Sequence, residues 1–183
     1  MVNSFFLLLP FVLSILVIVF LLDVLLTGKT PLVTTPSKSR KKIVQTINLK
    51  ENDIFYDLGC GTSRFLVELS KIYPASRYIG IDNSPFSYVL SKLRVLFSNF
   101  NKSNNISIKY GNFFNFNLSS ATHIYIWIYV KDMDKLLNKF NLELKHGTLV
   151  YSLDFPFSNK EPKEIIDLGS GNRFGHTLYI YSF

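Results

Sequence analysis

Ile54-Phe55-Tyr56-Asp57-Leu58-Gly59-Cys60-Gly61-Thr62 reads as a buried strand that ends in an acid and breaks into a Gly-x-Gly turn. Arg64 to Ile72 follow, with Phe65, Leu66, Leu69 and Ile72 on one face of a helix. Strand, glycine turn and helix in that order open a Rossmann-like unit, whose glycines let the backbone come close to a nucleotide-type ligand.

Two details separate the candidate ligands. A dinucleotide fingerprint needs a third glycine where this chain has Arg64, because a pyrophosphate rests on backbone amides at the helix start. Asp57, two residues before the first glycine, would repel a pyrophosphate and favour a cation. S-adenosylmethionine has a sulfonium, an amino group and a ribose diol but no phosphate, so it suits this loop. Tyr78-Ile79-Gly80-Ile81-Asp82 is a second apolar strand ending in an acid. Asp82 follows Gly61 by roughly 20 residues, the spacing at which a carboxylate reaches ribose hydroxyls.

Working outward, a helix is expected from Ser37 or Ser39, either of which would cap it, to Ile47. Ser84-Pro85 starts another helix over about Phe86 to Phe97. Strand three is Ile106 to Tyr110, strand four the apolar run Thr122 to Val130, and strand five Thr148 to Asp154, with a helix from about Met133 to Leu144 between the last two. Glu164 to Leu168 and Thr177 to Tyr181 form a closing antiparallel hairpin. The acid-x-Gly-x-Gly pattern at Asp167 to Gly171 lies inside that hairpin with no helix after it, so it is a loop and not a second ligand site. The expected fold is α/β, a Rossmann-like seven-stranded sheet with parallel strands covered on both faces.

The N-terminus has a different character. Phe5 to Leu22 is 18 residues without a charge, enough for a transmembrane helix. All 20 Lys and Arg residues of the 183-residue chain lie after Gly28, and Lys29, Lys38, Arg40, Lys41 and Lys42 follow the apolar run closely. By the positive-inside tendency the C-terminal domain faces the cytoplasm, on a single-pass membrane anchor. The division is therefore 1–28 anchor, 29–46 basic linker and first helix, and 47–183 ligand-binding domain. Net charge is +7. The basic cluster suits anionic headgroups, whereas no basic stripe interleaved with aromatics argues for nucleic acid. Cys60 is the single cysteine, so no internal disulfide is available and no metal site is expected.

Several segments read together resemble one family. Pro31-Leu32-Val33-Thr34-Thr35-Pro36 after the anchor, Asp57-Leu58-Gly59-Cys60-Gly61, Gly80-Ile81-Asp82-Asn83-Ser84-Pro85, Tyr129-Val130-Lys131-Asp132-Met133 and Phe155-Pro156-Phe157 are similar to the ATP-synthase c-subunit and adenine-nucleotide-translocase lysine methyltransferases and their prokaryotic relatives. The resemblance runs from about Pro31 to the C-terminus. It implies a class I methyltransferase that takes S-adenosylmethionine on Asp57, Gly59, Gly61, Asp82, Asn83, Asn112, Phe113 and Thr35. Ser63 and Asn112 depart from the family pattern, standing where a glycine and an acid are usual.

The implied acceptor is a lysine of a membrane-associated protein, with Tyr129 contacting the amine and Asp154 orienting or deprotonating it. An Asn/Asp-Pro-Pro-aromatic segment, common in enzymes that methylate planar amino groups, is absent after strand four, which disfavours DNA. His123 lies within a strand and is expected to be packed rather than catalytic. Two other readings stay open: a small-molecule or lipid methyltransferase, and a catalytically silent binding module.

Overall fold

Strands as continuously apolar as residues 124–126 need cover on both faces, and the sheet provides it. The computed structural model describes residues 4–27, 34–98, 105–169, 171 and 173–183. Lys29, the linker residues 30–33 and the Asn-rich loop 99–104 lie outside the described residues, as does the expected boundary between anchor and linker.

The strands are β1 (Ile54–Leu58), β2 (Arg77–Asp82), β3 (Ile106–Tyr110), β4 (His123–Ile126), β5 (Leu149–Leu153), β6 (Glu164–Asp167) and β7 (Thr177–Ser182). Among the described residues they form one seven-stranded sheet in the order β3-β2-β1-β4-β5-β7-β6. The first five are parallel, and β7 pairs antiparallel with both β5 and β6. Strand order reverses at β1, so β1 and β4 flank the switch point where open α/β sheets bind ligands.

The helices are α1 (Ser4–Thr27), α2 (Ser37–Thr46), α3 (Arg64–Ile72), α4 (Pro85–Ser98) and α5 (Val130–Glu143). One core lies between the sheet and α2 and α3, where Phe55, Tyr78, Tyr125 and Tyr151 meet Ile43, Ile47, Phe65, Leu66 and Leu69. The other joins Tyr56, Ile124, Ile126 and Val150 to Met133, Leu136, Leu137 and Phe140 of α5. Residues two apart on a strand thus share a layer and adjacent residues serve opposite ones, as the pleat requires.

Two expectations are corrected. Strand four was expected to reach Val130, but β4 stops at Ile126, where its register partners Leu58 and Ser152 end the ladders. Val130 instead begins α5. Neither Ser37 nor Ser39 caps α2: Pro36 holds the cap position, and Ser39 points inward to donate to the Gly175 carbonyl at 2.7 Å. The Ser84 cap is present, with the Ser87 amide donating to Ser84 Oγ at 3.0 Å.

α1 extends over the expected anchor as a 24-residue helix, although its side chains are described only in part. Among the described residues no helix is long and apolar enough to cross a membrane.

Candidate active site

β1 delivers Asp57 to the sheet's carboxyl edge, and the chain then turns sharply. Gly59 has φ +84°, a conformation L side chains rarely adopt, and a Cβ there would meet nothing within 4 Å. The turn therefore has open space before it. It is tied down from behind: the Gly59 and Cys60 amides donate to the Ile81 carbonyl at 2.8 and 3.2 Å. Ser63 takes φ +53° in the left-handed region, which explains why glycine is usual at that place.

The two acids act differently. Asp82 spans the turn and the start of α4, one oxygen accepting from the Gly61 amide at 2.8 Å and the other from the Ser84 amide at 2.9 Å. Asp57 is buried, and burial, reinforced by the Asp82 carboxylate, pushes its carboxyl up to about 8. That environment favours the neutral carboxyl, and a cation beside it would favour the ionised one. Burial pushes the neighbouring Cys60 thiol up as well, so it is an inert packing group.

The third strand contributes the adjoining wall. The Gly111 amide donates to the Asp82 carbonyl at 2.9 Å, which sets Asn112 and Phe113 beside Asp82 and Asn83. Asn112 is exposed, and its side-chain oxygen accepts from the Phe114 amide at 3.0 Å, holding the 3-10 turn Phe113–Asn115. Asn112 was expected to bind the cofactor; within the chain its side-chain oxygen caps a turn and retains one lone pair.

Thr35 closes the opposite side. Its hydroxyl lies 3.0 Å from the phenol of Tyr125, and its carbonyl accepts from Arg40 Nη1 at 2.9 Å. Arg40 is buried and pairs through Nε with Glu68 of α3 at 2.7 Å, so the segment before α2 is clamped to the helix that follows the glycine turn. Burial pushes the Tyr125 phenol up, so it stays neutral.

Asp154 follows β5 with φ +64°. One of its oxygens accepts from the Gly175 amide at 2.7 Å and the other from the His176 amide at 2.7 Å. Its carboxylate thus holds the loop carrying Phe174, whose ring meets Trp127 edge-on with centroids 6.3 Å apart. Tyr129 was expected to close strand four; it lies three residues beyond β4, half-exposed at the start of α5, with Lys131 Nζ 5.9 Å from its ring centroid. His123 is packed as expected, stacked between Phe55 and Tyr151 and bonded to Thr122 at 2.9 Å, with burial lowering its pKa despite Asp53 nearby.

Three contributors escaped sequence reasoning. At Gly80 a Cβ would come within 2.8 Å of Cys60 Sγ and 2.9 Å of Leu66 Cδ1, so this glycine allows the turn and α3 to lie close on β2. An isolated glycine inside a strand was the available signal. Ser91 donates to the Gly61 carbonyl at 2.5 Å from α4, a contact that a small polar residue on a helix does not announce. Tyr125 sits in register beside Asp57, which only the strand pairing discloses.

Among the described residues no group of three or more His, Cys, Asp or Glu is placed to hold a metal. The site instead offers a glycine turn with open space, two buried acids and an aromatic edge. It suits a ligand that is part cation and part polyol.

A family model described as the ANTKMT methyltransferase domain matches residues 57–164. The chain is similar to a protein-lysine N-methyltransferase of Saccharolobus islandicus (strain REY15A), 31% identical over 154 residues, covering 82% of this chain and 92% of the relative. Among solved structures it is similar to an RNA methyltransferase from Salinibacter ruber in complex with S-adenosyl-L-homocysteine, with TM-score 0.73, 23% identity, and coverage of 82% and 93% of the two chains. A SAM-dependent methyltransferase from Geobacter sulfurreducens, also with S-adenosyl-L-homocysteine, gives TM-score 0.56 and 13% identity over 80% of this chain and 58% of that one. At these identities the two structures establish a common fold.

Proposed function

Because the chain belongs to the ANTKMT methyltransferase domain family, we propose that it is an S-adenosylmethionine-dependent protein-lysine N-methyltransferase, anchored by α1 with its domain on the cytoplasmic side and acting on a membrane-associated protein. The observation that carries the cofactor is the pair of buried acids at a turn with open space before it. A sulfonium and an amino group suit Asp57, and a ribose diol suits Asp82. Gly59 and Gly61 let the backbone approach, Asn83, Asn112 and Phe113 form the nucleoside side, and Thr35 covers the pocket. When bound, S-adenosylmethionine supplies an electrophilic methyl, and its transfer leaves a neutral thioether.

The chain's own residues then have three tasks. Asp57 loses its proton as the cation arrives, and its carboxylate holds that charge in place. The acceptor lysine must present a neutral amine, and an apolar entry beside a cation lowers its pKa from about 10.4. Trp127, Phe174 and Tyr129 supply that entry, with Asp154 holding the Phe174 loop. The remaining task is positioning, the nitrogen lone pair being brought in line with the methyl. The lysine support comes from the relative's activity together with this aromatic edge; the anchor rests on the uncharged run Phe5 to Leu22 and the basic residues after it.

Titration calorimetry of the full chain with S-adenosylmethionine tests the cofactor, and no heat at millimolar ligand removes the catalytic reading. Transfer of labelled methyl to source membranes, separated into protein and lipid, tests the acceptor. Label in protein, recovered as methyl-lysine, is expected; label confined to lipid overturns the lysine assignment.

A further inference from the structure

α4 is built the opposite way round from α5. α5 buries Met133, Leu136, Leu137 and Phe140 and turns charged residues outward. α4 buries Ser87 and Ser91, with Tyr88 and Val95 reaching the core in part, and turns Val89, Leu93 and Leu96 outward at 44%, 42% and 60% exposure. These three stand at i, i+4 and i+7, a single helical face. The helix carries no acid, and Lys92 is exposed on it. The inward serines are explained by the site, since Ser91 must reach the Gly61 carbonyl. The outward apolar face is not explained by anything within the domain.

Its neighbour indicates what covers it. α1 packs on α4, with the Phe20 and Phe86 rings edge-on and 5.4 Å between centroids. Phe20 stands two residues before the end of the uncharged run, a rise of about 3 Å. The contact therefore lies at the level where an anchor leaves the hydrocarbon. α4 begins at that level, and a helix lying in the boundary has an apolar face toward the acyl chains and basic residues toward headgroups.

We propose that α4 is a second membrane contact, its Val89, Leu93 and Leu96 face resting in the headgroup–acyl boundary of the bilayer that α1 enters. The inference rests on the anchor reading for its depth but not for its face. It also orients the enzyme. α4 starts three residues after Asp82, so the sheet's carboxyl edge, where the acceptor enters, is the membrane-proximal edge.

Cys60 is buried and is the only cysteine, so a single introduced cysteine carries a fluorophore alone. The full chain is reconstituted in vesicles of equal parts phosphatidylcholine and phosphatidylglycerol, with label at Leu13→Cys, Leu96→Cys or Leu142→Cys. Leu142 is exposed on α5, across the sheet from α4. Expected are quenching of position 13 by deep nitroxide lipids, of position 96 by shallow ones, and of position 142 by aqueous iodide only. Quenching at 13 with iodide-only quenching at 96 overturns the α4 contact and leaves the anchor standing. Quenching at 96 but not at 13 supports α4 and removes the anchor. Shielding of 96 from both quenchers, with cysteine cross-linking between copies, assigns the face to a dimer and overturns the inference.

Discussion

Asp57 links the ligand-free fold to the ligand. Its native carboxyl is raised to about 8, whereas an unfolded aspartate titrates near 3.9. The native state thus keeps a proton that the unfolded chain has lost between those values. Whatever stability Asp57 lends is complete below pH about 4 and is lost progressively up to pH about 8. Asp57→Asn is therefore expected to raise Tm at pH 8 more than at pH 5, and equal shifts at both would contradict the raised value. The same substitution should weaken S-adenosylmethionine binding. In the native chain, affinity should climb from pH 6 to pH 8 as binding expels the proton, a climb the Asn variant lacks. Comparing the two chains cancels the ligand's own titration. Asp82→Ala, which removes a charged acceptor from the loop and, on the proposed reading, from the ribose, is expected to cost roughly 1 to 3 kcal/mol of cofactor binding by calorimetry; unchanged affinity would place the ribose elsewhere.

Between elements, two contacts decide how firmly the site is held. β2 and α3 approach so closely at Gly80 that Gly80→Ala must displace Cys60 and Leu66. A loss of about 1 to 3 kcal/mol in urea unfolding is expected, the usual cost of overpacking, and Cys60→Ala in the same chain should return part of it. Asp154 joins the end of β5 to the loop before β7. Asp154→Ala should raise KM for the acceptor while leaving cofactor affinity and most of kcat intact. A collapse of kcat with KM unchanged would instead give the carboxylate a role at the amine.

The elements themselves were largely legible, because α3 and β3 are bounded by strong signals: a glycine turn and Pro74 on one side, an asparagine loop and Gly111 on the other. The end of β4 was not legible. Trp127-Ile128-Tyr129 is as strand-like as the residues before it, but β1 ends at Leu58, the partner of Ile126, so Trp127 has no strand on that side although β5 runs one residue further to Leu153. Asp57, Gly59, Gly61 and Asp82 were readable for the same reason, since local turn chemistry places them. Arg40, Tyr125 and Ser91 come from three separate elements, and no local pattern brings them together.

For the molecule as a whole, the proposed anchor and the basic flank predict distinct behaviour in membranes. Lysines near an anionic surface contribute on the order of 1 kcal/mol each and are screened by salt, whereas an inserted helix is not. The chain should therefore stay with source membranes through high-salt and alkaline carbonate washes and leave only in detergent. Release by salt alone would reduce the attachment to electrostatics.

One feature of the sheet bears on how the protein is made. β7 lies between β5 and β6, although β6 precedes it in the chain. During synthesis the growing sheet thus has an open edge at β5, and β6 emerges with no strand to pair with until residues 177–182 arrive between them. Removing residues 177–182 should therefore leave both β5 and β6 without their shared partner and raise degradation in cells, while changes confined to the loop between Asp167 and Thr177 should not.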